Sequence, residues 1–517
     1  MVEKPEYVTK YKKPVNTEIK QIRGHWYLYE RRNEYDPAIK RSRKKSGKCL
    51  GKITESGFVP SKAEQKRDAI LNDVVEIGAV SYFYQNSEEM RLLLQKHFPD
   101  FWERIYTTVL IRTIYDTRFR RLQLHYEDSI LSHMYPNLSF SAPSVTEFLN
   151  RLGRQRGAMR DYMRAALTEN DRFILFDGHR LLSASRTMDN AELGYDSKLR
   201  YKPQINLLYM FSLGADTGYP VYYKQYLGST PDVTAFADIL KESGVHGENC
   251  IVIGDKGFGS QGGFDLLEAS GLKYVIPLKR GNQYVKERVP SSPIEYDKAF
   301  NFNGRGIQCT TFHEGAFDIH LYFDTSLFAD EIADLTKRTE QRNQTLEIAK
   351  SRELKRREKG KGRLTDEELK NLEPMSVKDA FSNHREMGTI TLKTNSIDLN
   401  CFQVYCIYKQ RQAVEQYFKT YSDTMDQEAS YMRNNYSEEA WLFLNHLSSV
   451  LGVKAIEHIG AVDESKNVSL RDLTQTLIKI KATLMNGSWS VFPIKRSVRS
   501  LCSKLAFDAR DMNPLPL

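Results

Sequence analysis

The sequence lacks any run of about 18 consecutive apolar residues, so no membrane-spanning helix is expected and no membrane partner. Its six cysteines (Cys49, Cys250, Cys309, Cys401, Cys406, Cys502) are scattered, and none forms a C-x-x-C pair. Neither a disulfide framework nor a zinc knuckle is therefore indicated, and a reducing, cytoplasmic setting fits best. The opening residues, Met1-Val2-Glu3-Lys4-Pro5, carry no apolar core of the signal-peptide kind, in line with that expectation. There is no internal repeat and no low-complexity linker, which sets aside tethered arrays.

What is present has the balance of a globular protein, with 40% apolar and 27% charged residues. A chain of 517 residues exceeds one core and divides into several domains. The net charge of +9 is unevenly placed. Residues 1–62 hold sixteen Lys/Arg against seven Asp/Glu, an excess equal to that of the whole chain. Such an imbalance attracts a polyanion, nucleic acid being the commonest; the alternative is a solvated basic tail.

Read in order, residues 1–62 form a basic, β-rich module. His25–Glu30 and Cys49–Ile53 read as strands joined by a basic loop, Lys40–Lys48, in which Arg43, Lys44 and Lys45 are candidate DNA contacts. Trp26, Tyr27 and Tyr29 serve either as the core of this sheet or as base-stacking rings. Residues 63–170 read as a helical, DNA-binding region. Its helices start near Ser87 and run over Phe101–Phe119, and a third opens at Ser144 with Arg151, Arg154, Arg156 and Arg160 suited to phosphate contacts. The alternative is a helical bundle with an ordinary solvated face.

From 171 the pattern turns to strands. Phe173–Phe176 is an apolar run that stops at Asp177-Gly178, and Ile251–Ile253 runs into Gly254-Asp255. A carboxylate at the C-terminal end of a buried strand is where α/β sheets present chemistry. Between them lie a hairpin (Ile205–Leu213 and Pro220–Tyr226) and a helix, Thr234–Ser243; a second helix, Gly262–Ser270, and a strand, Tyr274–Leu278, follow. The order β-β-β-α-β-α-β is the RNase H-like arrangement and sets Asp177 and Asp255 on neighbouring parallel strands. Residues 171–282 and 396–460 are thus read as two parts of a mixed-sheet α/β core. An insertion subdomain (283–395) interrupts it, with two exposed helices and a capping box at Thr365-Asp366-Glu367-Glu368. C-terminal helices over Leu470–Leu484 and Val491–Phe507 fill 461–517.

A helix from Val404 to about Asp423 carries the third acid. At 100° per residue, Ile407, Val414, Phe418 and Tyr421 fall within about 60° of one another as its buried stripe. Tyr408, Arg411 and Glu415 form a second strip roughly 80° round. Taken alone, Arg411 and Glu415 are also spaced as a surface i,i+4 ion pair.

The trio Asp177, Asp255 and Glu415 resembles the DDE set of bacterial insertion-sequence transposases, in particular the class with a Y-x2-R-x3-E-x6-K signature and an insertion between the second Asp and the Glu. Tyr408, Arg411 and Glu415 match that spacing. Ser422 stands where the lysine belongs, with Lys419 one turn after Glu415. Gly254-Asp255-Lys256-Gly257-Phe258 is similar to the family's Asp-Arg-Gly-Phe form, whereas Asp177-Gly178-His179 differs from its Asp-x-Thr. The resemblance implies Asp177, Asp255 and Glu415 as catalytic, metal-holding carboxylates. It makes Tyr408, Arg411, Lys419 and Lys256 DNA contacts. It further implies cleavage through a hairpin intermediate and catalysis in trans within a homodimer bound to both transposon ends.

Three carboxylates without a His/Cys cluster suit two hard ions, Mg²⁺ or Mn²⁺, rather than zinc. Such a pair supports in-line displacement at phosphorus, with water for strand nicking or a DNA 3′-hydroxyl for strand transfer. The expected partners are double-stranded DNA, as transposon-end inverted repeats and as target. A glycosidase would need paired acids but has no use for a basic N-terminal module. Two further readings stay open: a transposase-derived DNA-binding protein without activity, and a simple two-metal nuclease.

Overall fold

The structure, a computed structural model, describes residues 4–36, 41–61, 73–167, 172–183, 185–195, 201–213, 218–245, 250–290, 295–382, 384, 386–411, 429–462, 468–485 and 488–510. The chain divides into two compact units. One comprises Met1–Glu88, Thr117–Phe140 and His458–Leu517; the other comprises Glu89–Asp116 and Ser141–Glu457.

In the first unit, β1 (Thr17–Ile22), β2 (His25–Asp36), β3 (Arg41–Thr54) and β4 (Gly57–Pro60) form an antiparallel meander. Val8, Trp26 and Ile53 are its buried core, flanked by Tyr7, Tyr11, Ile19 and Phe58. Trp26 is therefore a packing residue. The basic stretch expected as a loop is instead strand: from Arg41 to Lys48 it lies on β3, and Lys45, Lys44 and Arg43 pair across with Arg32, Asn33 and Glu34. The hairpin ladder continues because the opposed side chains are compatible, as in the 2.6 Å contact of Lys45 with Glu34.

A second, three-stranded sheet in this unit joins β5 (Asp73–Glu76) to Lys481–Met485, which pairs in turn with Ser488–Val491. The helix expected over Leu470–Leu484 ends at Leu477. Beyond it the chain finds partners some 400 residues earlier, with Ala482 opposite Val75 and Thr483 opposite Val74. Long-range pairing outweighs the local helical periodicity here.

The second unit is built on one large mixed sheet. Its strands are β6 (Phe173–Ser183), β7 (Glu192–Tyr195), β8 (Tyr201–Leu213), β9 (Gly218–Leu227), β10 (Ile251–Ile253), β11 (Lys273–Pro277), β12 (Lys298–Phe302), β13 (Arg305–Glu314), β14 (Phe317–Asp324), β15 (Thr389–Thr394) and β16 (Ala429–Ser430). The spatial order is β12-β13-β14-β15-β11-β10-β6-β8-β7, with β9 on β8 and β16 on β6. β6, β10 and β11 run parallel and the rest of the main path antiparallel. Helices Asp232–Ser243 and Gln261–Ala269 link β9 to β10 and β10 to β11, in the order the sequence suggested. The segment 283–395 contributes β12–β15, which extend this same sheet through β15 on β11. It also contributes a 34-residue helix, Thr325–Glu358, and the capping box at Thr365 and Glu368.

Both faces of the sheet are covered. Phe176 of β6 meets Phe236 of helix Asp232–Ser243 edge-on at 4.8 Å. On the other face Tyr209 of β8 contacts Tyr223, which contacts His446 of the long helix Asn435–Val462. That helix also gathers the preceding helices: Phe98 lies 5.3 Å from Phe443, and Arg112 donates to Asn445 at 2.7 Å. The arginine-bearing stretch is two helices, Ala142–Gly153 and Arg156–Ala166. Arg156, expected to suit phosphate, is tied inside the protein by Glu242 and Glu439, each at 2.9 Å, and by the Tyr223 carbonyl.

Two stability predictions follow from this packing. A Cβ on Gly153 would lie 1.7 Å from the Tyr436 carbonyl oxygen, a backbone atom that cannot swing aside. Gly153→Ala should therefore cost about 1–3 kcal/mol in urea unfolding, and an unchanged midpoint would refute the close approach. Burial pushes the Glu438 carboxyl up to about 7; the Ser430 hydroxyl donates to it and opposes the rise, while Glu439 adds to it. With a folded value above the ordinary 4.5, its stability contribution is complete below about 4.5 and is lost as pH rises towards 7. Glu438→Gln should gain on the wild type across that window by roughly 2–3 kcal/mol. Parallel pH profiles of the melting temperature would count against it.

Candidate active site

Asp177 was expected where β6 ends, but the strand continues to Ser183. The reason is β8, which supplies a partner to every residue from Asp177 (opposite Tyr209) to Leu182 (opposite Gln204). On its other edge β6 is paired with β10 only over Phe173–Leu175. Past Ile253 the β10 chain leaves the ladder, and β16 rejoins that edge only at Leu182 and Ser183. Among the described residues, Asp177 thus sits at the opening of a gap in the sheet, held in place by an unbroken strand on its other flank.

Asp255 stands at the mouth of the same gap. The parallel register sets Ile251 beside Phe173 and Ile253 beside Leu175. Past Ile253 that ladder ends, and the two aspartates are linked through Arg411, which donates to Asp255 and lies in the field of Asp177 as well. The turn that follows is closed by the Phe258 amide donating to the Asp255 carbonyl at 2.9 Å. Buried Phe258 packs against Phe236 at 5.0 Å. Gly259 is required where the chain crosses β11, since a Cβ there would lie 2.7 Å from the Pro277 carbonyl.

The Asp255 carboxylate is held through one oxygen. Its Oδ1 accepts from the Lys256 amide at 2.6 Å and from Arg411 Nη1 at 2.9 Å. Arg411 follows helix Cys401–Lys409, which Asn400 and Gln403 start with a reciprocal capping box, three residues before the expected Val404. Buried Val404, Tyr405 and Ile407 fix the rotation of that helix. The Arg411 side chain is 19% exposed and that of Asp255 37%. Burial would lower the Arg411 pKa, but Asp255, Tyr408 and Asp177 together hold it above its ordinary value. The guanidinium is therefore a fixed cation in the field of both aspartates.

Of the residues picked out by sequence, the fold brings together Asp177, Asp255 and Arg411, with Tyr408 half-buried one turn before Arg411. Lys256 is exposed beside Asp255. Arg43, Lys44 and Lys45 are exposed on β3 in the other unit. Glu415 and Lys419, with Val414, Phe418, Tyr421 and Ser422, lie outside the described residues. Sequence reasoning missed the Arg411–Asp255 contact, for which a separation of 156 residues leaves no local signal. Asp177 and His179 share a face only where the strand continues past Gly178. The strand runs through Gly178, so the two do share one. The alternation Leu175, Asp177, His179, Leu181 was the available clue.

Among the described residues no group of three or more His, Cys, Asp or Glu side chains is set to hold a metal ion. Carboxylates of this kind suit one: they offer oxygen donors throughout, and the Lys256 amide and Arg411 both engage Asp255 through Oδ1.

Fold and site together define a mixed-sheet α/β protein with an aspartate just past the point on each strand where β6 and β10 cease to pair. Residues 170–451, more than half of the sequence, match the family described as Transposase DDE domain, and the chain belongs to that family. No curated protein matches the sequence significantly. Among solved structures, the chain is similar to the cryo-EM structure of piggyBac transposase synaptic complex with hairpin DNA, at 11% identity and a TM-score of 0.39, with 80% of this chain and 77% of that chain covered.

Replacing Arg411 by Ala leaves two neighbouring carboxylates without their counter-cation. Metal-free stability should fall by about 1–3 kcal/mol, the worth of a charged hydrogen bond. Added Mg²⁺ should raise the melting temperature of Arg411→Ala more than that of the wild type. Equal shifts, or no loss without metal, would argue against the charge-balancing role.

Proposed function

We propose that this member of the transposase DDE family binds transposon ends and carries out DNA strand cleavage and strand transfer in cut-and-paste transposition. The observation that carries the reading is the parallel pairing of β6 with β10, together with an Arg411 guanidinium that donates to Asp255 and lies in the field of Asp177. In this reading the sheet from β6 to β11 is an RNase H-like core, 283–395 is its insertion, and Glu415 completes the acidic set. Tyr408, Arg411 and Glu415 then form the family's signature, with Lys419 in place of the lysine absent at Ser422.

The residues at the gap suit the task. Asp177, Asp255 and Glu415 would hold two Mg²⁺ or Mn²⁺ ions, which when bound supply an activated attacking oxygen and a stabilised leaving oxygen at phosphorus. Asp177 on its uninterrupted strand is the rigid member, and Asp255 is oriented by Arg411 and the Lys256 amide. Arg411, a buried cation, is also placed to meet a DNA phosphate; Lys256 and Lys419 add positive charge beside it. Tyr408 would stack on, or donate to, a displaced strand. The partners are double-stranded transposon ends and target DNA, engaged by a homodimer in the cytoplasm of a bacterial or archaeal cell.

The test is cleavage of end-labelled DNA carrying the element's flanking repeats. Wild type with Mg²⁺ should cut and join, whereas Asp177→Ala, Asp255→Ala and Glu415→Ala should each lose at least about a thousandfold in rate while still binding DNA. Binding without cutting by every form, wild type included, would make this a DNA-binding relic. Cutting without joined products would make it a nuclease.

A further inference from the structure

β2 and β3 outrun their neighbours. β1 covers β2 only as far as Glu30, and β4 covers β3 only from Gly51 onward. Between them six cross-strand pairs, from Arg31 opposite Ser46 to Asp36 opposite Arg41, form a two-stranded ribbon with no third strand among the described residues. Residues 32–35 and 41–46 are all exposed. A ribbon of this kind buries no core and is marginal by itself. Its register breaks at Tyr29, and such an irregularity adds twist and re-aims what lies beyond it.

Opposed residues of an antiparallel pair share a face, and successive pairs alternate. One face therefore carries Arg32, Glu34, Arg41, Arg43 and Lys45, a mixture of signs. Lys45 meets Glu34 at 2.6 Å and Arg32 meets Glu30 at 3.2 Å. The other face carries Arg31, Asn33, Tyr35, Ser42, Lys44 and Ser46, with no carboxylate among them. Tyr35 is 61% exposed. The nearest acid, Glu18 on β1, lies at the ribbon's base, where Lys20 and Ser46 engage it and Arg31 adds its field.

We propose that this acid-free face docks into the major groove of duplex DNA, with Arg31 and Lys44 on phosphates and Asn33 and Tyr35 towards base edges. The partner rests on the transposase reading; the choice of face does not. The B-form major groove, about 12 Å wide, admits a two-stranded ribbon. Six residues of strand span roughly 20 Å, a little over half a helical turn. The deep, narrow groove of an RNA duplex would not admit it. A face of polar and basic side chains with one tyrosine has nothing to insert into a lipid surface.

The test uses the full chain, a fluorescent mixed-sequence DNA duplex about three turns long, and two charge-matched variants. Arg31→Ala/Lys44→Ala should weaken binding about tenfold and flatten the plot of log affinity against log salt by roughly two. Arg32→Ala/Arg41→Ala, on the mixed face, should change affinity less than threefold, or under roughly half of that loss on a logarithmic scale. Tyr35→Ala should weaken binding without altering the salt slope. Circular dichroism would confirm that these surface variants fold. Equal losses from both double variants would mean general charge attraction and overturn the proposal, as would equal affinity for an RNA duplex. Unchanged binding with new self-association would mean that the charges guard a strand edge instead. A wild type that cuts DNA while the two faces stay indistinguishable would sink this inference alone; a wild type that binds no duplex would sink the transposase reading with it.

Discussion

The three backbone pairings between β10 and β6 carry most of the functional argument. They are parallel, buried on both faces, and they stop at Ile253. While the ladder lasts it dictates register; where it ends it frees the chain to turn and present a carboxylate. Because β6 keeps its other partner, β8, Asp177 does not move away with the turn. A shift of one residue in the β10 register would carry Asp255 to the opposite face of the sheet. The placement of Asp177 is thus a consequence of main-chain hydrogen bonding, while Asp255 is fixed by its turn and by Arg411.

Two like charges side by side are costly unless something offsets them, and Arg411 is the offset found in the protein. Its guanidinium is presented by a helix whose rotation is fixed by buried residues on its sheet-facing side, so the cation arrives without a large ordering cost. The same geometry suits it to hold a phosphate. The arginines of the earlier helices are differently employed. Arg156 holds Glu242 and Glu439 together beside β9, Arg151 reaches Glu147 and the Phe101 ring, and Arg154 lies over Tyr436. Counting basic residues along the chain does not distinguish these uses, since a buried bridge and a phosphate contact call for the same side chain.

The helix-strand alternation from Asp232 to Pro277 and the capping box at Thr365 were legible in the sequence, because each is set by neighbours a few residues away, whereas the end of β6 was not, since β8 carries that strand past Asp177. The basic stretch of β3 and the strand Lys481–Met485 were not. Both read locally as something else, a loop and a helix, and both become strands through partners that periodicity cannot see. The first unit, assembled from three separate parts of the chain, poses the same difficulty on a larger scale.

By itself, then, the sequence determined where the apolar runs begin and end, which residue types close them, and that positive charge is concentrated before residue 62. Those are properties of nearest neighbours and of composition. Only the tertiary structure decided that Arg411 reaches Asp255, and that Lys44 and Lys45 face opposite ways. Each of these depends on strand register or on contacts between remote segments, and such contacts form only when the whole chain has folded around them.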